Sequence, residues 1–197
     1  HVTHDPMDWL SSLEGVPSAY AATRDGIDVM LRDRGLRRTS PETTAESLLR
    51  DSIELGLQVV RSGFRPSLLV GIWRGGAPIG ISVQEVLEYN GIECDHISIR
   101  TSSYAGIDRQ AKQVRVHAID YLVSRLTFED RLLLIDDVFD SGRSLEAVIG
   151  ELAKRCRRNL PEQIRIATVY YKPSRNLSSL QPDFHVRTTD QWLVFPH

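Results

Sequence analysis

The stretch Arg131 to Leu145, RLLLIDDVFDSGRSL, constrains the rest of the chain most. Leu132 to Ile135 are four consecutive apolar residues, the pattern of a strand buried on both faces inside a parallel sheet. Asp136 and Asp137 arrive at its C-terminal end, the end at which open α/β sheets bind ligands. Asp140-Ser141-Gly142-Arg143-Ser144 then supplies small hydroxyls, a glycine and a run of backbone amides ahead of the apolar-periodic segment Leu145 to Leu152. Free N–H groups and the dipole at a helix N-terminus favour an anion, so this order predicts a phosphate cradle. Two acids alone could be a solvated strand end, and Ser-Gly an ordinary turn. The ordered combination is far more restrictive than either.

A second loop is expected at the same sheet edge. Leu68 to Ile72 reads as another short buried strand, running directly into Trp73-Arg74-Gly75-Gly76, with Pro78 near the start of the next helix. Gly75 and Gly76 let backbone approach an anion closely and Arg74 adds charge. Upstream, Ser40-Pro41-Glu42 signals a helix start, and Leu48, Leu49, Ile53, Leu57 and Val60 form a helical stripe. His96 to Arg100 predicts a strand. The polar run Thr101 to Gly106 after it reads equally as a lid or as a hairpin loop returning into Val114 to Val116. Helices are expected over Ala118–Leu126 and from Leu145, and Ile164 to Tyr171 as a strand that ends in Lys172-Pro173.

The last 26 residues should govern what is bound beside the cradle. Lys172 leaves a strand end, and its ammonium can donate to a ring carbonyl. Asp183 to Val186 and Trp192 to Phe195 read as two short strands that fold over the sheet as a hood, with Trp192 free to stack on a base or to fill a core.

Composition narrows the classes. With 197 residues the chain holds one ordinary domain and an appendage, and a net charge of −2 gives no global field for nucleic acid, so an anion must be held locally. Arg32, Arg34, Arg37 and Arg38, and the run Lys154 to Arg158, fit helix C-termini. Two isolated cysteines, Cys94 and Cys156, argue against a disulfide framework or a zinc site. No run is long and apolar enough to span a bilayer and no secretory pattern opens the chain, so no membrane partner and a cytoplasmic location are expected. The expected architecture is α/β: a mostly parallel twisted sheet flanked by helices over residues 41–197, the hood at 172–197, and a helical extension over residues 1–40 with one amphipathic helix in Ala21 to Leu36.

The 131–145 stretch resembles the ribose-phosphate signature of the type I phosphoribosyltransferases. Lys172-Pro173 and Asp190-Gln191-Trp192-Leu193 are similar to the tail of the bacterial hypoxanthine and xanthine-guanine enzymes. The resemblance covers about residues 44 to 197. It implies transfer of ribose 5-phosphate from 5-phosphoribosyl-1-pyrophosphate (PRPP) to a 6-oxopurine, in purine salvage, with Mg2+ as cofactor and a dimeric or tetrameric assembly. By the same resemblance Asp136 and Asp137 bind the ribose hydroxyls and position the metal. Asp140, Ser141, Gly142, Arg143 and Ser144 hold the 5′-phosphate, and Arg74 and Gly75 hold pyrophosphate in a loop whose Trp73–Arg74 peptide is cis. Ser103 and Tyr104 match the mobile lid, Lys172, Trp192 and Leu193 the base site, and Asp140 the acid–base residue near N7 of the purine. Two rival readings are a PRPP-sensing regulator without turnover and a pyrimidine transferase. One departure stands out: related enzymes carry an acid just after the tail aromatic segment that helps hold magnesium, whereas Phe195-Pro196-His197 stands here.

Overall fold

The computed structural model describes residues 43–104 and 113–196. The expected helix in Ala21 to Leu36 and the arginines beside it lie outside these residues. Helix α1 (Ala45–Arg61) starts at Thr44, whose side chain accepts from the Ser47 amide at 3.1 Å. The Ser40-Pro41 start is thereby corrected: a hydroxyl that meets a free amide of the first turn fixes the boundary. The stripe is corrected as well. Leu48, Ser52, Leu55 and Val59 face inward, whereas Leu49 and Ile53 are 53% and 41% exposed. Asp51 explains the rotation, because its buried carboxylate receives Arg187 Nε and Nη2 at 2.5 and 2.9 Å. Counting apolar positions alone misses a buried carboxylate held by an arginine at the surface in this way.

Six strands follow: β1 (Leu68–Trp73), β2 (Asp95–Tyr104), β3 (Gln113–His117), β4 (Arg131–Phe139), β5 (Gln163–Tyr171) and β6 (Phe184–Thr188). They form one sheet in the order β3-β2-β1-β4-β5-β6, parallel throughout except for the β2/β3 pair. Helices α2 (Gly76–Tyr89), α3 (Asp120–Arg125) and α4 (Arg143–Cys156) complete the fold. Both faces of the sheet are covered, which is why β1 and β4 read as continuous apolar runs. Val70, Leu132 and Leu134 pack with Leu122, Leu145, Val148 and Leu152 on one face. Leu69, Leu133 and Ile135 pack with Leu55, Val59, Ile79 and Val83 of α1 and α2 on the other. Among the described residues no helix is long and apolar enough to cross a membrane.

Two further expectations change. Thr101 to Tyr104 are strand rather than loop: they pair antiparallel with β3 from Thr101↔Val116 to Tyr104↔Gln113, while Ala105 and Gly106 of the expected run lie outside the described residues. The expected pair of hood strands is also revised. The first becomes β6 at the sheet edge, in register with β5 from Ala167↔Phe184 to Tyr171↔Thr188, seated by the Ile166 amide donating to Asp183 at 2.8 Å. Trp192 to Phe195 forms no strand but has a single bridge residue, Val194, whose carbonyl accepts from the Thr43 amide at 3.3 Å.

The chain leaves β1 through α2 toward β2 on one side and leaves β4 through α4 toward β5 on the other. Loops after these two central strands therefore diverge and open a crevice at the C-terminal edge, the switch point of an open α/β sheet.

Candidate active site at the sheet switch point

At the end of β4 the Asp137 amide donates to Asp136 Oδ1 at 3.0 Å, which fixes the first carboxylate against its own backbone. Burial, and then the neighbouring Asp137 carboxylate, push the Asp136 carboxyl well above the usual range. The loop after β1 presses onto this pair. A Cβ on Gly75 would stand 2.2 Å from Asp137 Oδ2, and one on Gly76 2.2 Å from the Ile135 carbonyl oxygen. Only glycines permit this approach. The Trp73–Arg74 peptide is cis, and Arg74 is exposed.

Past Phe139 the chain turns through Asp140 and Ser141 into Gly142, which has φ 75° and immediately precedes α4. A side chain there is excluded twice, by the left-handed backbone and by Ser178 Oγ and the Phe139 ring, which a Cβ would meet at 2.1 and 2.8 Å. Arg143 is exposed on the first turn of α4. A cavity of about 210 Å³ opens here, lined by Asp136, Asp137, Asp140, Ser141, Gly142 and Ser144 among others. The expected cradle residues thus come together, with the amides of a 14-residue helix behind them.

Beyond β5 the Lys172 amide donates to the Phe139 carbonyl at 2.9 Å, tying the ends of β4 and β5 together. Lys172 is 3% exposed, and its Nζ stands 3.6 Å from Asp140 Oδ2 and 5.7 Å from the centre of the Trp192 ring. Trp192 is 68% exposed while Leu193 beside it is buried. An indole this exposed, with a buried ammonium over its ring, is not a core aromatic. Ser103 and Tyr104 close β2, and only their backbone is described.

Residues 43–197 match the family of phosphoribosyl transferase domains. The chain belongs to that family. Solved structures agree on the fold. A purine phosphoribosyltransferase from Pyrococcus horikoshii superposes with a TM-score of 0.62 at 24% identity, covering 80% of this chain and 92% of that one. A Neisseria gonorrhoeae protein with bound ppGpp gives 0.67 at 17% identity over 81% and 89%. The Helicobacter pylori xanthine-guanine-hypoxanthine enzyme gives 0.56 at 21% identity over 78% and 90%. No curated protein matches in sequence.

Within this phosphoribosyltransferase domain, three contacts escaped the sequence. Arg175 Nε donates to Asp140 Oδ1 at 2.8 Å. Thr43 and Tyr170 share a hydroxyl contact at 3.3 Å, and the Tyr170 ring stands edge-on to Phe195 at 5.8 Å. Arg175 had one available signal, a cation three residues past Lys172. Thr43 and Tyr170 stand 127 positions apart and leave none.

Proposed function

We propose that this phosphoribosyltransferase moves ribose 5-phosphate from PRPP to a 6-oxopurine, releasing pyrophosphate. The observation that carries the reading is the convergence of three groups beside the cradle: the Lys172 ammonium, the Asp140 carboxylate and the exposed ring of Trp192. A purine laid on that indole would direct its edge to a donor and an acceptor 3.6 Å apart. The ammonium suits a 6-oxo oxygen and the carboxylate a ring N–H, so a 6-amino group opposite Lys172 would leave two donors facing each other. Stacking is worth about 1 to 3 kcal/mol per base.

The other roles follow from position. Ser141, Ser144 and the first amides of α4 would hold the 5′-phosphate, with Gly142 and Arg143 beside them; the glycine loop with Arg74 would hold pyrophosphate against Asp137. The residues fit magnesium. Asp136 and Asp137 are adjacent carboxylates that repel each other, and among the described residues no cluster of three or more His, Cys, Asp or Glu offers a complete cage. Magnesium takes one or two carboxylates and fills its shell with phosphate oxygens and water. Bound there it would offset charge on the departing pyrophosphate. The protein's own work is placement: the acid pair holds the ribose, the cradle fixes the phosphate, and Asp140 takes the ring proton that must leave as the new C–N bond forms. Closure by the β2/β3 hairpin would exclude water from the activated sugar.

The experiment is a panel of hypoxanthine, guanine, xanthine, adenine, orotate and uracil with PRPP and Mg2+, read as nucleoside monophosphate formed. Turnover confined to the three 6-oxopurines is expected. Preference for adenine or orotate would remove the base assignment. Tight PRPP binding with no turnover on any base would make the protein a sensor instead.

A further inference from the structure

The segment after β5 is fastened to the cradle on both sides of Asp140. The Lys172 amide donates to the carbonyl before Asp140, that of Phe139, at 2.9 Å, and the Leu177 amide to the carbonyl after it, that of Ser141, at 3.1 Å. Between these two ties runs the 3₁₀ turn Pro173–Arg175, closed by the Arg175 amide donating to the Lys172 carbonyl at 3.1 Å. One short turn thus aims two cations at one carboxylate. They do not meet it equally. Arg175 Nε forms a 2.8 Å hydrogen bond to Oδ1, whereas Lys172 Nζ stands 3.6 Å from Oδ2, beyond hydrogen-bonding distance.

We propose that Arg175 is a positioning residue that keeps Asp140 and Lys172 apart and aimed at the base. The guanidinium takes one carboxylate oxygen and fixes the rotation of the group, so that Oδ2 and Nζ remain separate, an acceptor and a donor side by side. With Arg175 absent, nothing on this turn opposes a direct bond between Lys172 and Asp140. Opposite charges at this distance close into a short charge-assisted pair, and each would then consume the partner that the base needs. Arg175 touches neither base nor sugar in this scheme, and it acts through Asp140. The inference rests on the 6-oxopurine transferase reading and adds to it a residue that sets the competence of the base site.

Arg175 is exposed, so its replacement leaves the core intact. Arg175→Ala, Arg175→Lys, Asp140→Asn and the Arg175→Ala/Asp140→Asn double variant are compared with the whole chain by steady-state kinetics. For Arg175→Ala, kcat/KM for the base should fall by about 10- to 100-fold, up to the lower end of the roughly 10²- to 10⁴-fold that acid–base assistance contributes, because Asp140 itself is kept, with KM for PRPP within about twofold of wild type. Arg175→Lys should recover part of the loss, since an ammonium supplies the charge without the planar fork. In the Asp140→Asn background, adding Arg175→Ala should cost almost nothing more, because coupled residues are not additive. Equal losses in both backgrounds, or a rise in KM for PRPP, would overturn the clamp and make Arg175 a structural or phosphate-contacting group. Wild-type protein inactive on every base sinks the parent reading and the clamp together; active wild type with additive losses sinks the clamp alone.

Discussion

Asp130 and Asp136 stand at opposite ends of β4, and their carboxyls are displaced in opposite directions. Burial works against the Asp130 carboxylate, yet Ser67 Oγ at 2.7 Å and the Thr127 amide and hydroxyl at 2.8 and 2.9 Å together pull it below the usual range. Asp136 has burial and Asp137 against it and is raised. The edge away from the site is thus tightened by its carboxylate, and the site edge is loosened by one. That is the distribution expected where a ligand, rather than the fold, completes the charge balance.

The pH dependence follows with opposite signs. A depressed carboxyl contributes stability that is present above its unfolded value, about 3.9, and lost as pH falls through the folded one. Asp130→Asn should therefore cost about 1 kcal/mol at pH 7, and the difference from wild type should shrink in acid. A raised carboxyl does the reverse: its cost is absent below about pH 3.9 and grows as pH rises toward the folded value. Asp136→Asn should accordingly raise the urea midpoint at pH 7 in ligand-free protein while abolishing turnover. Denaturation at pH 7 and pH 4 reads both; a destabilised Asp136→Asn would contradict the carboxylate repulsion.

Glycine substitutions separate site from scaffold. Gly75→Ala forces a methyl into the Asp137 carboxylate, so kcat/KM for PRPP should fall more than about tenfold, with KM for PRPP rising. Gly150, exposed in the middle of α4 with nothing within 4 Å of where a Cβ would stand, is the control. Gly150→Ala should stabilise by about 0.5 to 1 kcal/mol and leave kinetics unchanged. Thermal melts with parallel assays check the pair, and normal PRPP kinetics in Gly75→Ala would detach that loop from the substrate.

Trp192→Ala should raise KM for the base by an amount worth about 1 to 3 kcal/mol. The melting temperature should hold, since the ring is 68% exposed and supports little of the core. A lowered melting temperature with normal base kinetics would return Trp192 to a structural role.

What was legible in the sequence was local. Buried runs, the acid pair and the Ser-Gly cradle are contiguous in β4 and the start of α4, so strand, turn and helix follow from neighbours within a few positions. The glycines of the β1 loop were legible for the same reason. What was not legible depends on partners far along the chain. The face of α1 is turned by Asp51 meeting Arg187, 136 residues away, and β6 leaves the hood for the sheet edge because Asp183 caps the Ile166 amide. Thr101 to Tyr104 have the small polar composition of a loop, and only pairing with β3 makes them strand. In each case a long-range polar contact outweighed a local propensity.

Trp192 and Leu193 lie on a segment that the Thr43 amide, donating to the Val194 carbonyl, and the packing of Phe195 against Tyr170 tie to the domain. Thr43 is buried, and its hydroxyl meets that of Tyr170 at 3.3 Å. Tyr170→Phe keeps the ring contact and strips the buried Thr43 hydroxyl of this partner, a cost of about 1 kcal/mol. Tyr170→Ala also removes the aromatic pair, worth about 0.5 to 1.5 kcal/mol more. Because the tail carries the base face while the phosphate cradle hangs from β4, KM for the base should rise in the order wild type, Tyr170→Phe, Tyr170→Ala. KM for PRPP should barely move. If both constants rose together, Tyr170 would support the whole sheet edge rather than the tail, and the base face would owe its position to Leu193 instead.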